Sequence, residues 1–292
     1  MTRRSIVYIL STSYAGSHFL SLLLGSNSRA MHIGEAKRLR KGPFRRTPSI
    51  CLACEKEKKA CPLTRGIDDK NIDQIYDIIF SRIDPQITTL VDASKKPFWA
   101  KRFLGNPNYE LKFIHLIRDP RAYVRRLALK YTGLIRRLRV RIQLARDVPS
   151  LARSFVFRSA STVYIYRWLR ENQNITHFLS QNHLQATVIT YHDLAKHTAQ
   201  ELRRITKAIN LVYEPTQLAY WNFTHHGTQK KEYEWVKDEK TTYFDLRWQA
   251  FLSPRRIKEI QNNKHVNNYL EEHRIRIGEE GLTQMPTGQR TR

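Results

Sequence analysis

Cysteine is scarce in this 292-residue chain. There are three, an odd number, which argues against a disulfide-stapled scaffold. Acidic residues are also few: 26 Asp and Glu face 51 Lys and Arg, leaving a formal charge of +25. No apolar run approaches the roughly 18 residues needed to cross a bilayer. The apolar stretch at Ile6–Leu10 is too short for a signal-peptide core. These shortages lead to the expectation of a reduced, cytoplasmic enzyme or binding protein. The positive excess calls for anionic partners: nucleic acid, acidic lipid, or small molecules bearing phosphate or sulfate. Hydrophobic residues at 41% and charged residues at 26% match a globular chain and exclude a disordered one.

What is present alternates between two periods. Ser5–Leu10, Thr88–Asp92, Leu111–Ile117 and Ala186–Tyr191 are short, nearly continuous apolar runs rich in β-branched residues. Such runs suit strands buried on both faces of a parallel sheet. Between them lie helical stretches at 71–83, 120–146 (broken at Gly133), 154–181 and 198–209, and an opening helix after Ser17, read as its N-cap, ending at Gly25. Strands alternating with helices predict an α/β fold with a mostly parallel sheet. One domain over residues 1–274 is expected, with a Cys-containing insertion at 36–66. The Gly-, Thr- and Arg-rich tail, 275–292, is expected to fray.

Two places carry chemistry. The first strand runs into Ser11-Thr-Ser-Tyr-Ala-Gly16-Ser17 and then a helix, an order that aims free N–H groups and a positive dipole end at an anion. The loop lacks the Lys and first Gly of G-x-x-x-x-G-K-[ST], which disfavours an ordinary ATPase or GTPase. The strand at 111–117 ends in Arg118-Asp-Pro-Arg-Ala122. An Arg at the carboxyl end of a parallel strand is placed to fork onto a phosphate. His115, within that apolar strand, reads as a hydrogen-bonded core residue.

Together these segments resemble the sulfotransferases that use 3′-phosphoadenosine 5′-phosphosulfate (PAPS), in the branch of bacterial, carbohydrate and tyrosylprotein enzymes. The resemblance runs from residue 5 to about 231. It implies a P-loop-NTPase-like central parallel sheet flanked by helices, the sulfotransferase fold. It also implies sulfuryl transfer from PAPS to a hydroxyl or amine of an acceptor such as a carbohydrate, leaving adenosine 3′,5′-bisphosphate. Tyr14–Leu20 is similar to R-S-G-T/S-T-x-L, the 5′-phosphosulfate loop, which implies cofactor contacts at Tyr14, Ala15, Gly16, Ser17, His18 and Phe19. The R-D-P-R-A element implies Arg118 on the 3′-phosphate, with Arg126 where a phosphate-binding Ser is usual. Thr190–Leu194 resembles Y-E-D-L and brings in Tyr191; His225–Lys231 resembles the cofactor-closing loop H-x-x-G-N-x-x-R and brings in Lys230 and Lys231. His32–Glu35 resembles the G-E element, implying Glu35 as general base, and Asp92–Pro97 resembles D-S-S-K-x-P, implying Lys95 beside the transferred group. His18 is a further catalytic candidate, as a donor to a sulfuryl oxygen. Tyr14 and Thr228 depart from the motif, which has a basic residue and Asn there.

Sulfuryl transfer of this kind needs positioning and charge neutralisation, which Lys, Arg and helix-end amides supply without a metal. Cys51, Cys54 and Cys61 form C-x2-C-x6-C with no fourth ligand nearby. A zinc site would need a distant ligand such as His32, so no metal and free thiols are expected. The segment Arg121–Arg146 has nine basic residues and no acid. It suits an acidic small-molecule or glycan acceptor, or peripheral contact with an anionic membrane surface. A P-loop-type small-molecule kinase and a basic nucleic-acid-binding protein are the alternatives. No nucleic-acid-binding signature accompanies the charge.

Overall fold

The computed structural model describes residues 3–39, 51, 54, 61–147, 158–227 and 244–286. Strand β1 (Ser5–Ser11) is buried along its whole length. Its side chains divide by parity, as a pleated strand requires. Ile6, Tyr8 and Leu10 enter one apolar cluster, while Val7 and Ile9 enter another on the opposite face. That two-sided burial is why the run is continuously apolar.

Five parallel strands make the sheet, in the order β2-β3-β1-β4-β5. The others are β2 (Ala30–His32), β3 (Thr89–Lys95), β4 (Glu110–Ile117) and β5 (Ala186–Thr190). The chain goes from β1 to the β2–β3 side and then crosses to β4. The β1–β4 boundary is therefore the switch point, where open α/β sheets bind ligands at their carboxyl ends. All four expected strands form. The sequence reading missed β2, whose three residues are too few to show a period.

Helix α1 (Ser17–Leu24) follows β1 and packs on the Val7 face. Helices α2 (Ile75–Phe80) and α3 (Pro97–Lys101) flank β3 and cover the Ile6 face. Beyond β4 come α4 (Pro120–Lys130), α5 (Leu134–Asp147) and α6 (Ala160–Gln181), so the long basic stretch breaks around Gly133 as expected. Val140 and Leu144 of α5 are buried, whereas Leu134 is 83% and Ile135 69% exposed. Helices α7 (Tyr191–Lys196) and α8 (Thr198–Ala208) follow β5. Three further helices, α9 (Arg247–Phe251), α10 (Pro254–Gln261) and α11 (Lys264–Glu272), join a third apolar cluster with α4 and α6. Among the described residues no helix is long and apolar enough to cross a membrane.

Within the tail expected to fray, residues 275–286 are described and carry regular structure. Ile275–Ile277 and Leu282–Gln284 form an antiparallel hairpin, β6–β7. Ile275 and Leu282 lie in the core. Thr190 Oγ1 donates to the Leu282 carbonyl at 2.9 Å, the Gln284 amide donates to Asp193 at 2.9 Å, and Arg121 Nη2 donates to the Gly278 carbonyl at 2.7 Å. A composition rich in Gly and Thr did not reveal these distant partners.

Candidate active site

The loop after β1 turns on two residues of positive φ, Tyr14 (65°) and Gly16 (95°). A Cβ on Gly16 would lie 2.3 Å from Cδ2 of Tyr191. Glycine is thus required there by both backbone conformation and the ring pressed against it. The expected cap differs in one detail: Gly16 is the cap, Ser17 is the first helical residue, and no side chain caps α1. The amides of its first turn keep their capacity for an anion. Ser17 Oγ and Thr12 Oγ1 are buried with no hydrogen-bond partner. Ala15 and Phe19 are core residues, Phe19 packing edge-on against Tyr220, so only their backbones face the loop's concavity.

Arg118 leaves the end of β4 and meets this loop. Its Nη1 donates to the Tyr14 carbonyl at 2.7 Å, and its guanidinium lies 4.7 Å from the centre of the Tyr191 ring. Trp168 Nε1 donates to the Arg118 carbonyl at 2.7 Å, fixing the backbone. Arg118 also pairs with Asp245. Burial raises the Asp245 carboxyl, but Arg247 and Arg118 outweigh it and hold it below the ordinary carboxylate range. Arg126, one helical turn and more into α4, lies 4.6 Å over the Tyr14 ring, with Lys130 on the same ring at 5.1 Å. Gly16, Arg118, Arg126 and Tyr191 are thereby brought to one place. Lys230 and Lys231 fall outside the described residues.

Across the sheet edge, Glu35 is the hub of the second half of the site. Lys95 Nζ pairs with its Oε1, and His18 Nε2 donates to the same oxygen at 3.0 Å. Arg38 Nε donates to Oε2 at 2.7 Å, with Lys37 Nζ at 3.4 Å. Burial alone would raise the Glu35 carboxyl; the His18 hydrogen bond and the charges of Lys95, Lys37 and Arg38 win and drive it far below the usual range. Burial pushes Lys37 down to about 8.

Lys95 sits in a strained backbone well, φ 68° at the end of β3, where the β1–β3 register slips between Tyr8 and Leu10. Such a conformation persists only when its surroundings impose it. Three residues earlier, buried Asp92 anchors the strand end: it accepts from Tyr76 Oη at 2.7 Å, Trp99 Nε1 at 2.8 Å and the Ser94 amide at 2.7 Å.

Several residues at the site were not singled out from the sequence. Glu171 of α6 accepts from the Ser13 amide at 3.4 Å, pairs with Lys96 at 3.1 Å and takes Arg167 Nε at 3.0 Å. Its helical periodicity gives no hint of that, because α6 reaches the loop through tertiary packing against β1, α3 and α4. Asp245 likewise lies 127 residues from Arg118 in sequence. Arg121, the second Arg of R-D-P-R, is fully buried. It pairs with Asp119 at 2.7 Å and stacks 3.9 Å over Trp248, which makes it structural. His115 is the core residue expected: buried, donating to Asn172 at 3.2 Å, and pushed by burial down to about 3.

The distant ligand suggested for a zinc site, His32, is not the histidine that meets the cysteines. His32 is buried against Ser21 Oγ and the His225 ring. The thiols of Cys51, Cys54 and Cys61 instead converge on His226.

No family model matches the sequence, and no curated protein does. Solved structures do. The sulfotransferase domain from the curacin biosynthetic pathway is 20% identical, with a TM-score of 0.50 over 89% of this chain and 98% of that one. The sulfotransferase from Alicyclobacillus acidocaldarius is 14% identical, with a TM-score of 0.44 over 93% and 97%. Mouse sulfotransferase SULT7A1, solved in complex with PAP, is 11% identical, with a TM-score of 0.43 over 93% and 90%. The chain has the sulfotransferase fold: a five-stranded parallel sheet flanked by helices.

Proposed function

We propose that this chain is an enzyme that transfers a sulfuryl group from PAPS to a hydroxyl or amine of an acceptor. The observation that carries the reading is the meeting of the Gly16 loop, Arg118 and the Glu35–Lys95–His18 group at the carboxyl edge of one parallel sheet. The residues fit such a donor. Ser17 Oγ and Arg118 Nε are buried without partners, the first turn of α1 is uncapped, and Gly16 keeps the loop free of a side chain. In this reading the Gly16 loop and His18 hold the phosphosulfate end, and Arg118 and Arg126 hold the 3′-phosphate. Lys95 neutralises the departing bridging oxygen. Bound PAPS supplies an activated sulfuryl group; the chain's own work is orientation and charge.

Glu35 is the general base of this reading. As it stands, it is a weak one, because a carboxylate held far below its ordinary range takes up a proton poorly. Lys95 and His18 hold it there. If both turn toward an anionic donor, Glu35 loses two of its strongest partners and gains proton affinity. Donor binding and activation of the base are thereby coupled through Lys95. An acidic acceptor is favoured by the exposed Arg136, Arg137 and Arg139 of α5. A kinase reading gains nothing from the loop, where Ser17 stands in place of the phosphate-binding Lys.

Thermal-shift titration tests the proposal. Adenosine 3′,5′-bisphosphate should stabilise the protein in the presence of a chelator, and ATP–Mg²⁺ and oligonucleotides should not. Stabilisation by ATP–Mg²⁺ or oligonucleotide alone would overturn it. An acceptor screen with sulfur-labelled donor then identifies the second substrate.

A further inference from the structure

We propose that Cys51, Cys54, Cys61 and His226 bind one zinc ion, independently of what the sheet-edge site does. The four ligand atoms lie within 4.8 Å of one another. His226 Nδ1 is 3.8 Å from Cys51 Sγ, 3.4 Å from Cys54 Sγ and 3.8 Å from Cys61 Sγ. Tetrahedral zinc, with Zn–S near 2.3 Å and Zn–N near 2.0–2.1 Å, sets sulfur and nitrogen ligands about 3.6 Å apart. The observed separations straddle that value. Three thiolates and an imidazole are the donor set of a closed structural site, and soft sulfur ligands select against magnesium, calcium and manganese.

The surroundings suit a fixed site. The three thiols are buried at 1%, 7% and 6% exposure beside Leu63. The turn after Cys61 is braced twice: the Thr64 and Arg65 amides donate to the Cys61 carbonyl, and Arg82 Nη1 donates to the carbonyls of Leu63 at 3.1 Å and Arg65 at 2.7 Å. A disulfide would use two of the three thiols and leave the third beside the imidazole; a metal uses all four groups.

The fourth ligand comes from 165 residues beyond Cys61. Its neighbours are anchored. His225 is buried against the Tyr220 carbonyl at 2.7 Å. Gly227, at φ 76°, packs so closely that a Cβ there would lie 2.6 Å from the Ile33 carbonyl oxygen. Gly34 and Glu35 follow directly. Zinc would thus staple Cys51, Cys54, Cys61 and the His225–Gly227 turn to the strand end that presents Glu35.

Metal analysis of the intact purified chain tests this. One zinc per chain is expected, with X-ray absorption showing three sulfur atoms at about 2.3 Å and one nitrogen at about 2.0–2.1 Å. Cobalt exchanged into the site should give sulfur-to-cobalt charge-transfer absorption and tetrahedral visible bands. Cys54→Ser and His226→Ala should each lose most of the metal, and a chelator should lower the melting temperature of the wild type but not of these variants. Because a variant can fail to fold, the wild-type absorption spectrum is decisive. A folded wild-type protein that holds no stoichiometric zinc when zinc is supplied, that holds iron instead, or whose zinc has a shell of oxygen and nitrogen only, overturns the proposal.

Discussion

Arg118 Nη1 donates to the carbonyl of Tyr14 at 2.7 Å, across 104 residues of sequence. That single bond ties the end of β4 to the loop after β1 and sets a guanidinium beside an uncapped helix start. Two positive features meet at the sheet's switch point, which is where an anion is best held.

Replacement of Arg118 should therefore be felt by a ligand carrying phosphate. Arg118→Ala is expected to weaken binding of adenosine 3′,5′-bisphosphate by about ten- to a hundredfold, the loss of about 1.5–3 kcal/mol for hydrogen bonds to a charged group. Isothermal titration calorimetry reads it. Unchanged affinity removes Arg118 from the phosphate site.

Gly16→Ala meets two obstacles, a φ of 95° and the Tyr191 ring at 2.3 Å from the new Cβ. Destabilisation of about 1–3 kcal/mol is expected from the strained backbone, together with weakened bisphosphate binding. Chemical denaturation measures the first. A variant as stable as wild type would mean that the loop adopts another conformation.

Glu35→Gln should leave bisphosphate affinity within a few-fold of wild type and lower turnover by about 10²–10⁴-fold. It also strips the counter-charge from Lys95, Lys37 and Arg38, so the ligand-free protein should melt earlier, while added bisphosphate restores part of the loss. Full turnover in this variant would move the base elsewhere, with Glu171 the next carboxylate at the loop.

Stability should fall in acid in two windows. His32, His115 and His225 are held below their ordinary 6.5 by burial. The folded state therefore resists protons that the unfolded chain takes up, and stability drops as pH falls below 6.5. Glu35 and Glu171, against the pull of their own burial, are held below the ordinary 4.5 by neighbouring cations. Their contribution is complete above 4.5 and is lost as pH falls further. Melting temperature against pH should show both declines, and His115→Gln should flatten the first. A profile level from 6.5 to 4.5 would contradict the buried neutral imidazoles.

Much of the sheet was legible. A strand buried on both faces must be apolar at every position, so Ile6–Leu10 and Leu111–Ile117 announced themselves. The Gly16 loop and Arg118 stood out because each follows such a strand directly. The three-residue β2 carries no measurable period, and the β6–β7 hairpin is held by partners far away in sequence, Arg121, Thr190 and Asp193.

Local order along the chain thus determined the strand–loop–helix units, the parallel sheet and the residue types at its carboxyl edge, because hydrophobic period and turn chemistry act over a few neighbours. Only the tertiary structure decided which charges meet. Glu35 is clamped by Lys95 and His18, Arg118 is shared between Tyr14 and Asp245, and His226 closes a cluster with three cysteines. Those pairings depend on how separate elements pack, and electrostatic and ligand contacts act across space with no signature in the sequence between them.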